Sequence, residues 1–495
     1  MTDGSFGACS YTTAQLARLR HPDGREVFPA ARRWLLANQK PDGSWGGRIF
    51  FPHDRIVSTL AAMVALDEAD IRDREGRCVA VLRAGEYLNR NARRWRQAMG
   101  ETVAFGPLMR ELIGQAQRRE LPLPYREWAG LGLPTAGRRC PTPGGSGSLP
   151  PAVLRPEPEM AAPGKFTGVD GAVGRTPADT AAYWTSTADP SALRHLRGIV
   201  ALRPGGGVPS AYPTEVFELA FVLDYLRRAD LPSTGAGMLP GRLRGLLDNH
   251  GCAGFSRTFP DAGVMATALT VLSAAGHEIA DLLPWLLAFE TRSHFAGYPD
   301  ERRAAVGVNA RVLEAFGRHP AGYQPQIAKI ARYLMDGRQD GAWWSDRGHV
   351  SPYYATAQVA FALPQALGDR LQSTRMWMID SQRPDGSWGW FETGTAEETG
   401  FAVLALDALA RRRWAVPPKV WRAAAGYLRA HLADDDPPEL WVGKTLFAPA
   451  QVVGAVVLAG YTVASRWARA EPGRAGQRPL LAREKGIEQV WNAGF

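Results

Sequence analysis

Gln39-Lys40-Pro41-Asp42-Gly43-Ser44-Trp45-Gly46 returns almost unchanged as Gln382-Arg383-Pro384-Asp385-Gly386-Ser387-Trp388-Gly389. Each copy reads as a helix end followed by an Asp-Gly turn. In such a turn the Gln amide has local backbone to bond, and the Trp has the next helix to lie against. One copy alone would read as a plain helix C-cap with an exposed turn. Two near-identical copies predict a repeated helix–turn–helix unit. A degenerate third copy, Val169-Asp170-Gly171-Ala172-Val173-Gly174, lacks the Trp.

Outward from these turns nearly every segment carries apolar residues at helical spacing, and strand-like alternation is scarce. The pattern covers residues 30–37, 56–66, 79–88 and 108–116. It resumes at 178–184, 214–226, 266–275, 308–316, 354–366, 396–410, 420–432 and 448–461. Between them, residues 140–165 are rich in Pro, Gly and Ser and predict a loop. Medium-length helices joined by Gly/Pro turns predict an all-α chain of stacked antiparallel helix pairs, or barrels made of them.

With 495 residues the chain has material for two or more domains. Four cysteines (Cys9, Cys78, Cys140, Cys252) show no CxxC spacing, which argues for a reducing compartment and against a zinc site. No signal segment opens the chain and no apolar run is long enough to span a bilayer, so the expectation is a soluble, cytoplasmic protein. The net charge of +9 suits an anionic partner. That partner is nucleic acid or a phosphorylated small molecule; the Arg residues are spread over many helices with no nucleic-acid motif, the pattern of a solvated helix surface, so charge alone decides little.

One carboxylate stands out. Asp261, in Pro260-Asp261-Ala262-Gly263-Val264-Met265-Ala266, ends a Gly-rich turn before an apolar helical run. It reads as a helix cap and also as a desolvated carboxylic acid able to protonate a weak base.

The two turn copies resemble the QW motif of terpene cyclases of the squalene-hopene type. Phe51-Pro52-His53-Asp54-Arg55 is similar to the opening of bacterial class II diterpene cyclases. So are Gly205-Gly206-Gly207-Val208-Pro209, Val308-Asn309-Ala310, Ser351-Pro352-Tyr353-Tyr354-Ala355-Thr356, Thr395-Ala396-Glu397-Glu398-Thr399 and Trp441-Val442-Gly443-Lys444-Thr445-Leu446-Phe447. The resemblance covers nearly the whole chain. It implies two α/α barrels, usually called β and γ, with the active cavity between them. Residues 1–20 and 200–495 would form the β barrel and residues 21–199 the inserted γ barrel. It further implies a linear prenyl diphosphate substrate, an acid that protonates the terminal alkene, a carbocation cascade and a retained diphosphate with Mg²⁺ nearby. Trp184, Trp344, Tyr353, Tyr354, Trp390 and Phe391 are the candidates for a cation-stabilising pocket, each also readable as core packing. Lys444 and, after it, Arg55 are the candidates for diphosphate recognition.

The chain also departs from the family pattern. The family's acid motif is Asp-x-Asp-Asp, with the middle Asp as donor, and here one Asp remains. In one register Asp261 holds the donor position. In the other it holds the first position and Gly263 the donor's; the first register is preferred. Phe105-Gly106 stands where Phe-Glu is expected, which removes an acidic contact for Mg²⁺. Gly454 replaces an expected Arg, and Arg347-Gly348-His349 an expected Lys-Trp-His. The expectation is therefore an unusual class II cyclase of a C20 or C15 prenyl diphosphate or a modified prenyl chain, acting as a monomer or homodimer without a nucleic-acid partner. The alternatives are prenyl transfer, isomerisation or hydration, or a silent prenyl-lipid binder. A glycan-processing barrel needs paired carboxylates in one cleft, and Glu397 and Glu398, adjacent on a helix, would point apart.

Overall fold

Both eight-residue copies fold alike in the computed structural model of the chain. The Gln39 amide donates to the Gly43 and Ala80 carbonyls, as Gln382 does to those of Gly386 and Val420. Asp42 and Asp385 each accept from the Ser two residues on. The Trp45 indole donates to the Leu35 carbonyl and that of Trp388 to the Met378 carbonyl, each ten residues back. The backbone N–H of each Trp donates at 3.0 Å to a threonine hydroxyl of the next helix, Thr59 or Thr399. Gly43 and Gly386 sit at φ +91° and +88°, where a Cβ would meet a neighbouring carbonyl oxygen at 2.5 or 2.4 Å. Only glycine fits.

A further turn of this kind, at Trp344, carries too little of the motif to be read from the sequence. Trp344 donates its indole N–H to the Leu334 carbonyl and its backbone N–H to Thr356. The Gln339 N–H to Trp343 carbonyl bond matches Lys40 to Ser44 and Arg383 to Ser387. That register puts Arg338, Gly341 and Ala342 where the other copies have Gln, Asp and Gly, so of the motif only the Trp survives. In the degenerate copy, Val173 stands in for the Trp and bonds Thr180 with both backbone groups. Val169 and Asp170 lie outside the described residues.

The structure describes residues 6–67, 74–97, 100–129, 171–174, 176–203, 205–231, 238–250, 260–298, 304–363, 370–411 and 414–469. The expected loop at 140–165 lies outside them. The chain divides into two units.

The first unit holds Met1–Thr214 together with Ser256–Phe259 and Pro438–Ala448. The family resemblance groups residues 1–20 with 200–495. Its helices are α1 (Ser10–Ala17), α2 (Pro29–Ala37), α3 (Pro52–Asp67), α4 (Arg74–Arg90), α5 (Phe105–Arg118), α6 (Pro177–Thr187) and α7 (Pro190–Ala201). Helix α3 is buried from His53 to Leu66 and packs against α1, α4 and α5, while α1 also meets α2 and α6. A two-stranded antiparallel hairpin, β1 (Trp441–Val442) and β2 (Leu446–Phe447), joins this unit from far along the chain.

In the second unit, α8 (Glu215–Arg228), α10 (Ala262–Ala274), α11 (Val306–Phe316), α13 (Pro352–Ala362), α15 (Ala396–Ala410) and α17 (Ala450–Arg469) pack each on the next, and α17 closes back on α8. Around this ring lie α9 (Met238–His250), α12 (Gln324–Asp336), α14 (Gln372–Asp380) and α16 (Pro418–Ala430). The layers differ as their surroundings require. Helix α13 is buried from Pro352 through Ala360, whereas α12 buries Ile327, Ile330, Ala331 and Leu334, the single stripe of an outer helix. This is an α/α barrel. Among the described residues no helix is long and apolar enough to cross a membrane.

Candidate active site

Four ring helices of the second unit bring their N-terminal ends together. The Ala262 N–H bonds the Gly297 carbonyl, and Gly263 lies against Val308 of α11. Asp346, just before α13, accepts the N–H of Gly307 in the first turn of α11. His349, also before α13, meets Glu397 in the first turn of α15. The positive ends of these helices thus gather on one rim with four acidic side chains.

Asp261 is the N-cap of α10: it is 5% exposed, and Oδ1 accepts the Val264 N–H at 3.0 Å. A carboxyl group can accept a hydrogen bond through one oxygen and carry a proton on the other. The cap reading and the acid reading are therefore compatible. Asp346 is engaged by the Gly307 and Gly348 N–H groups. Glu398 accepts from the Trp390 N–H and the Thr395 hydroxyl, and burial pushes its carboxyl above the ordinary range. Glu397 turns instead to His349, so the two adjacent glutamates do point apart.

The aromatic candidates separate into groups. Tyr354 belongs to the rim: its ring stacks on His349 at 4.7 Å and meets the edge of Phe401 at 5.3 Å. Tyr353 stacks on Trp377 at 4.9 Å, and Trp377 and Trp390 both approach Trp343, which makes a separate aromatic cluster. The backbone carbonyl of Phe391 accepts from Arg383. Trp344 is fully buried with its indole bonded in that further turn, a structural position. Trp184 packs against the core of the first unit.

Deeper in the barrel, Arg311 donates to Thr267 and to the Tyr225 hydroxyl, lies 4.0 Å over the Phe221 ring and approaches Asp224 at 3.9 Å. Burial pushes the Asp224 carboxyl up, but Arg228, Arg227 and Arg311 more than offset this and hold it below the ordinary range. Neither Arg311 nor Asp224 belongs to a short motif, so this network is not legible before the fold brings α8 and α11 together.

The phosphate-binding candidates belong to the first unit. Lys444, in the hairpin turn, is 9% exposed. Its ammonium bonds Asp179 at 2.5 Å and Thr176 at 3.3 Å. Thr176 and Asp179 form the capping box of α6, a Thr-x-x-Asp pattern legible in the sequence. Asp179 and Thr176 take two of the ammonium's three donors. Arg55 donates to the Ser44 hydroxyl and the Gly47 carbonyl, bracing the first Trp turn. Its neighbour Asp54 accepts from the Gly47 and Leu446 N–H groups and so ties that turn to the Lys444 hairpin. Burial pushes the Asp54 carboxyl up to about 6 although both N–H groups favour its charge.

Of the other departures, Gly454 lies on an exposed face of α17 and Gly106 in the first turn of α5. Among the described residues no three His, Cys, Asp or Glu side chains gather as a metal-ligand set.

Comparison with protein families finds no matching family model. The chain is 33% identical to labda-7,13-dienyl diphosphate synthase from Streptomyces clavuligerus, across 92% of this chain and 89% of that protein. It is 30% identical to the type B diterpene cyclase of Mycobacterium tuberculosis, across 92% and 95% respectively. The solved structure of ent-copalyl diphosphate synthase from Streptomyces platensis matches with a TM-score of 0.75 at 27% identity, covering 93% of this chain and 96% of that one.

Proposed function

The chain belongs to the class II diterpene cyclases and is an enzyme of that type, and from that premise we propose that Asp261 starts cyclisation of a linear prenyl diphosphate. The substrate is a C20 or C15 chain, or a modified prenyl chain, and its diphosphate is retained. The observation that carries this reading is the place of Asp261: a carboxyl group buried on the rim of the barrel, at the N-terminus of α10, among the helix starts that gather there. Proton transfer from the Asp261 carboxyl group to the terminal alkene leaves a tertiary carbocation. Internal double bonds attack it in turn, and loss of a proton ends the cascade. Tyr354 and Phe401 offer π faces that stabilise a cation without bonding to it.

We assign the diphosphate to Lys444, whose third N–H is available for it, with Arg55 holding the hairpin's surroundings in place. Mg²⁺ is commonly held by one or two carboxylates and substrate phosphates. Among the described residues no donor set gathers as a dedicated metal site, and Mg²⁺ enters this reading only as a companion of the diphosphate. We place the reaction in the cytoplasm.

A second reading, in which the protein isomerises, hydrates or transfers a prenyl group, or only binds one, is favoured by Gly263 and Val264. In the alternative register they occupy the donor position and the last position of the acid motif. The deciding experiment incubates purified protein and D261N with geranylgeranyl and farnesyl diphosphates, with and without Mg²⁺. Products are dephosphorylated and identified by gas chromatography–mass spectrometry. A cyclic alcohol from the wild type and none from D261N supports the first reading; cyclic product from D261N moves the acid elsewhere.

A further inference from the structure

We propose that Asp54 is a positioning residue for the diphosphate, holding the hairpin so that the third hydrogen of the Lys444 ammonium faces the substrate. This rests on the assignment of the diphosphate to Lys444 and adds the group that aims that lysine. The hairpin is too small to place Lys444 by itself. Its strands pair at two positions, Trp441 with Phe447 and Val442 with Leu446, and the turn closes with a bond from the Gly443 N–H to the Thr445 carbonyl at 2.9 Å. Even a longer two-stranded hairpin is marginal in isolation. The Lys444 ammonium gives two hydrogens to Asp179 and Thr176, and the Tyr11 ring lies 6.0 Å away. The direction of the third hydrogen therefore follows from where the hairpin backbone sits.

Asp54 sets that place. Its carboxylate is fully buried. Oδ1 accepts the N–H of Leu446, two residues beyond Lys444, at 3.1 Å and the Ser58 hydroxyl at 3.2 Å, while Oδ2 accepts the Gly47 N–H at 2.8 Å. Gly46, at φ +128°, leaves room for this approach: a Cβ there would meet Oδ2 at 2.5 Å. The second Trp turn separates two duties of such a carboxylate. There Glu398 accepts the N–H of Trp390, which stands two residues after Trp388 as Gly47 stands two after Trp45. Bracing the turn is thus common to both copies. Glu398 also meets the hydroxyls of Thr395 and Ser351. Asp54 instead reaches a backbone N–H 392 residues away, in the hairpin that carries Lys444.

The probe is inorganic pyrophosphate, titrated calorimetrically at neutral pH into wild type, D54N, S58A, K444R and the double variant D54N/K444R. Melting temperatures establish that each is folded, and KM and kcat for geranylgeranyl diphosphate are measured on the same preparations. D54N should bind pyrophosphate roughly 10-fold more weakly, the share of one hydrogen bond to a charged group. S58A, which only loosens the carboxylate, should lose about 2- to 3-fold. In D54N/K444R the loss should fall clearly short of the product of the single losses, because both changes act on the same hydrogen. With the prenyl substrate the change should appear in KM more than in kcat, since the diphosphate is at the far end of the chain from the alkene that reacts.

Pyrophosphate bound as tightly by folded D54N as by the wild type would overturn the proposal. Losses that multiply in the double variant would do the same, because Asp54 would then act apart from Lys444. If D54N does not fold, S58A carries the test, and wild-type affinity in S58A would overturn the proposal. Undiminished affinity in K444R, or no binding by the wild type, would remove Lys444 as the ligand and this proposal with it, while leaving the chemistry of Asp261 untouched.

Discussion

Lys444 and Asp179, 265 residues apart in the sequence, meet at 2.5 Å with side chains 8% and 1% exposed. The pair fastens the hairpin of β1 and β2 to the capped start of α6, and Asp54 fastens the same hairpin to the first Trp turn through Leu446. A lysine chosen from its motif as a phosphate ligand is thus also half of a buried ion pair.

Removing one partner of such a pair strands the other. K444A and D179A should each lose about 3–5 kcal/mol of stability, and the double variant should lose clearly less than the sum. Urea denaturation of all three measures this. Additive losses would mean that the two charges do not depend on each other. K444R, which keeps the charge beside Asp179, should retain most of the stability while raising KM for the prenyl diphosphate, because a longer planar guanidinium does not place its N–H groups where the compact ammonium's third donor lies.

Asp261 offers a clean separation of structure from chemistry. Asn is as good an N-cap as Asp, so D261N should unfold within about 0.5 kcal/mol of the wild type, whereas D261A should lose ~1 kcal/mol. Turnover should fall in both by at least ~100-fold, since neither can donate a carboxylic proton. Denaturation and product formation measured on the same preparations test the two roles independently. An active D261N would leave Asp261 with its cap alone.

The Trp turns show what kind of structure a sequence displays. Gln39, Asp42, Gly43 and Trp45 each make a contact that their chemistry nearly compels, so the turn is legible wherever all four residues recur. At Trp344 the backbone makes the same bonds with only the Trp retained, and nothing but coordinates reveals it. Removing the indole N–H there should cost as much as it does at the recognised copies. W45F, W344F and W388F should each lose roughly 1–3 kcal/mol, the cost of a buried carbonyl left without its donor, as read by denaturant unfolding. A much smaller loss at Trp344 would deny it the same part. The Asp261 cap was legible because it reaches three residues along the chain. The Lys444–Asp179 pair, the Arg311 network and the meeting of His349 with Glu397 were not, because each joins segments that only the tertiary fold brings together.

Asp224 is held below the ordinary carboxyl range by the arginines around it despite its burial. A group depressed in the folded state contributes stability that is present above its unfolded pKa, about 3.9, and lost as pH falls below it. D224N should therefore destabilise the barrel strongly at pH 7 and progressively less towards pH 3, with unfolding followed by circular dichroism. A gap between the two proteins that stays constant with pH would remove Asp224 from the acid response.

Asp54 behaves in the opposite sense. Burial raises its carboxyl to about 6 in the folded protein, against about 3.9 when unfolded. Between those values the folded state holds a proton that the unfolded chain has released. The contribution of this group to stability therefore falls as pH rises from about 4 to 6 and levels off above, by about 3 kcal/mol in total. D54N cannot titrate and carries a fixed penalty, because its amide faces one of the Gly47 and Leu446 N–H groups with a donor. Unfolding free energies of wild type and D54N, measured at intervals from pH 4 to 7.5, give a difference in which that penalty is constant. The wild-type advantage should shrink with rising pH across the window and then flatten. An advantage that grows with pH would mean that the Gly47 and Leu446 N–H groups outweigh desolvation, and that the clamp on the Lys444 hairpin works as a settled anion rather than as a carboxyl poised near neutrality.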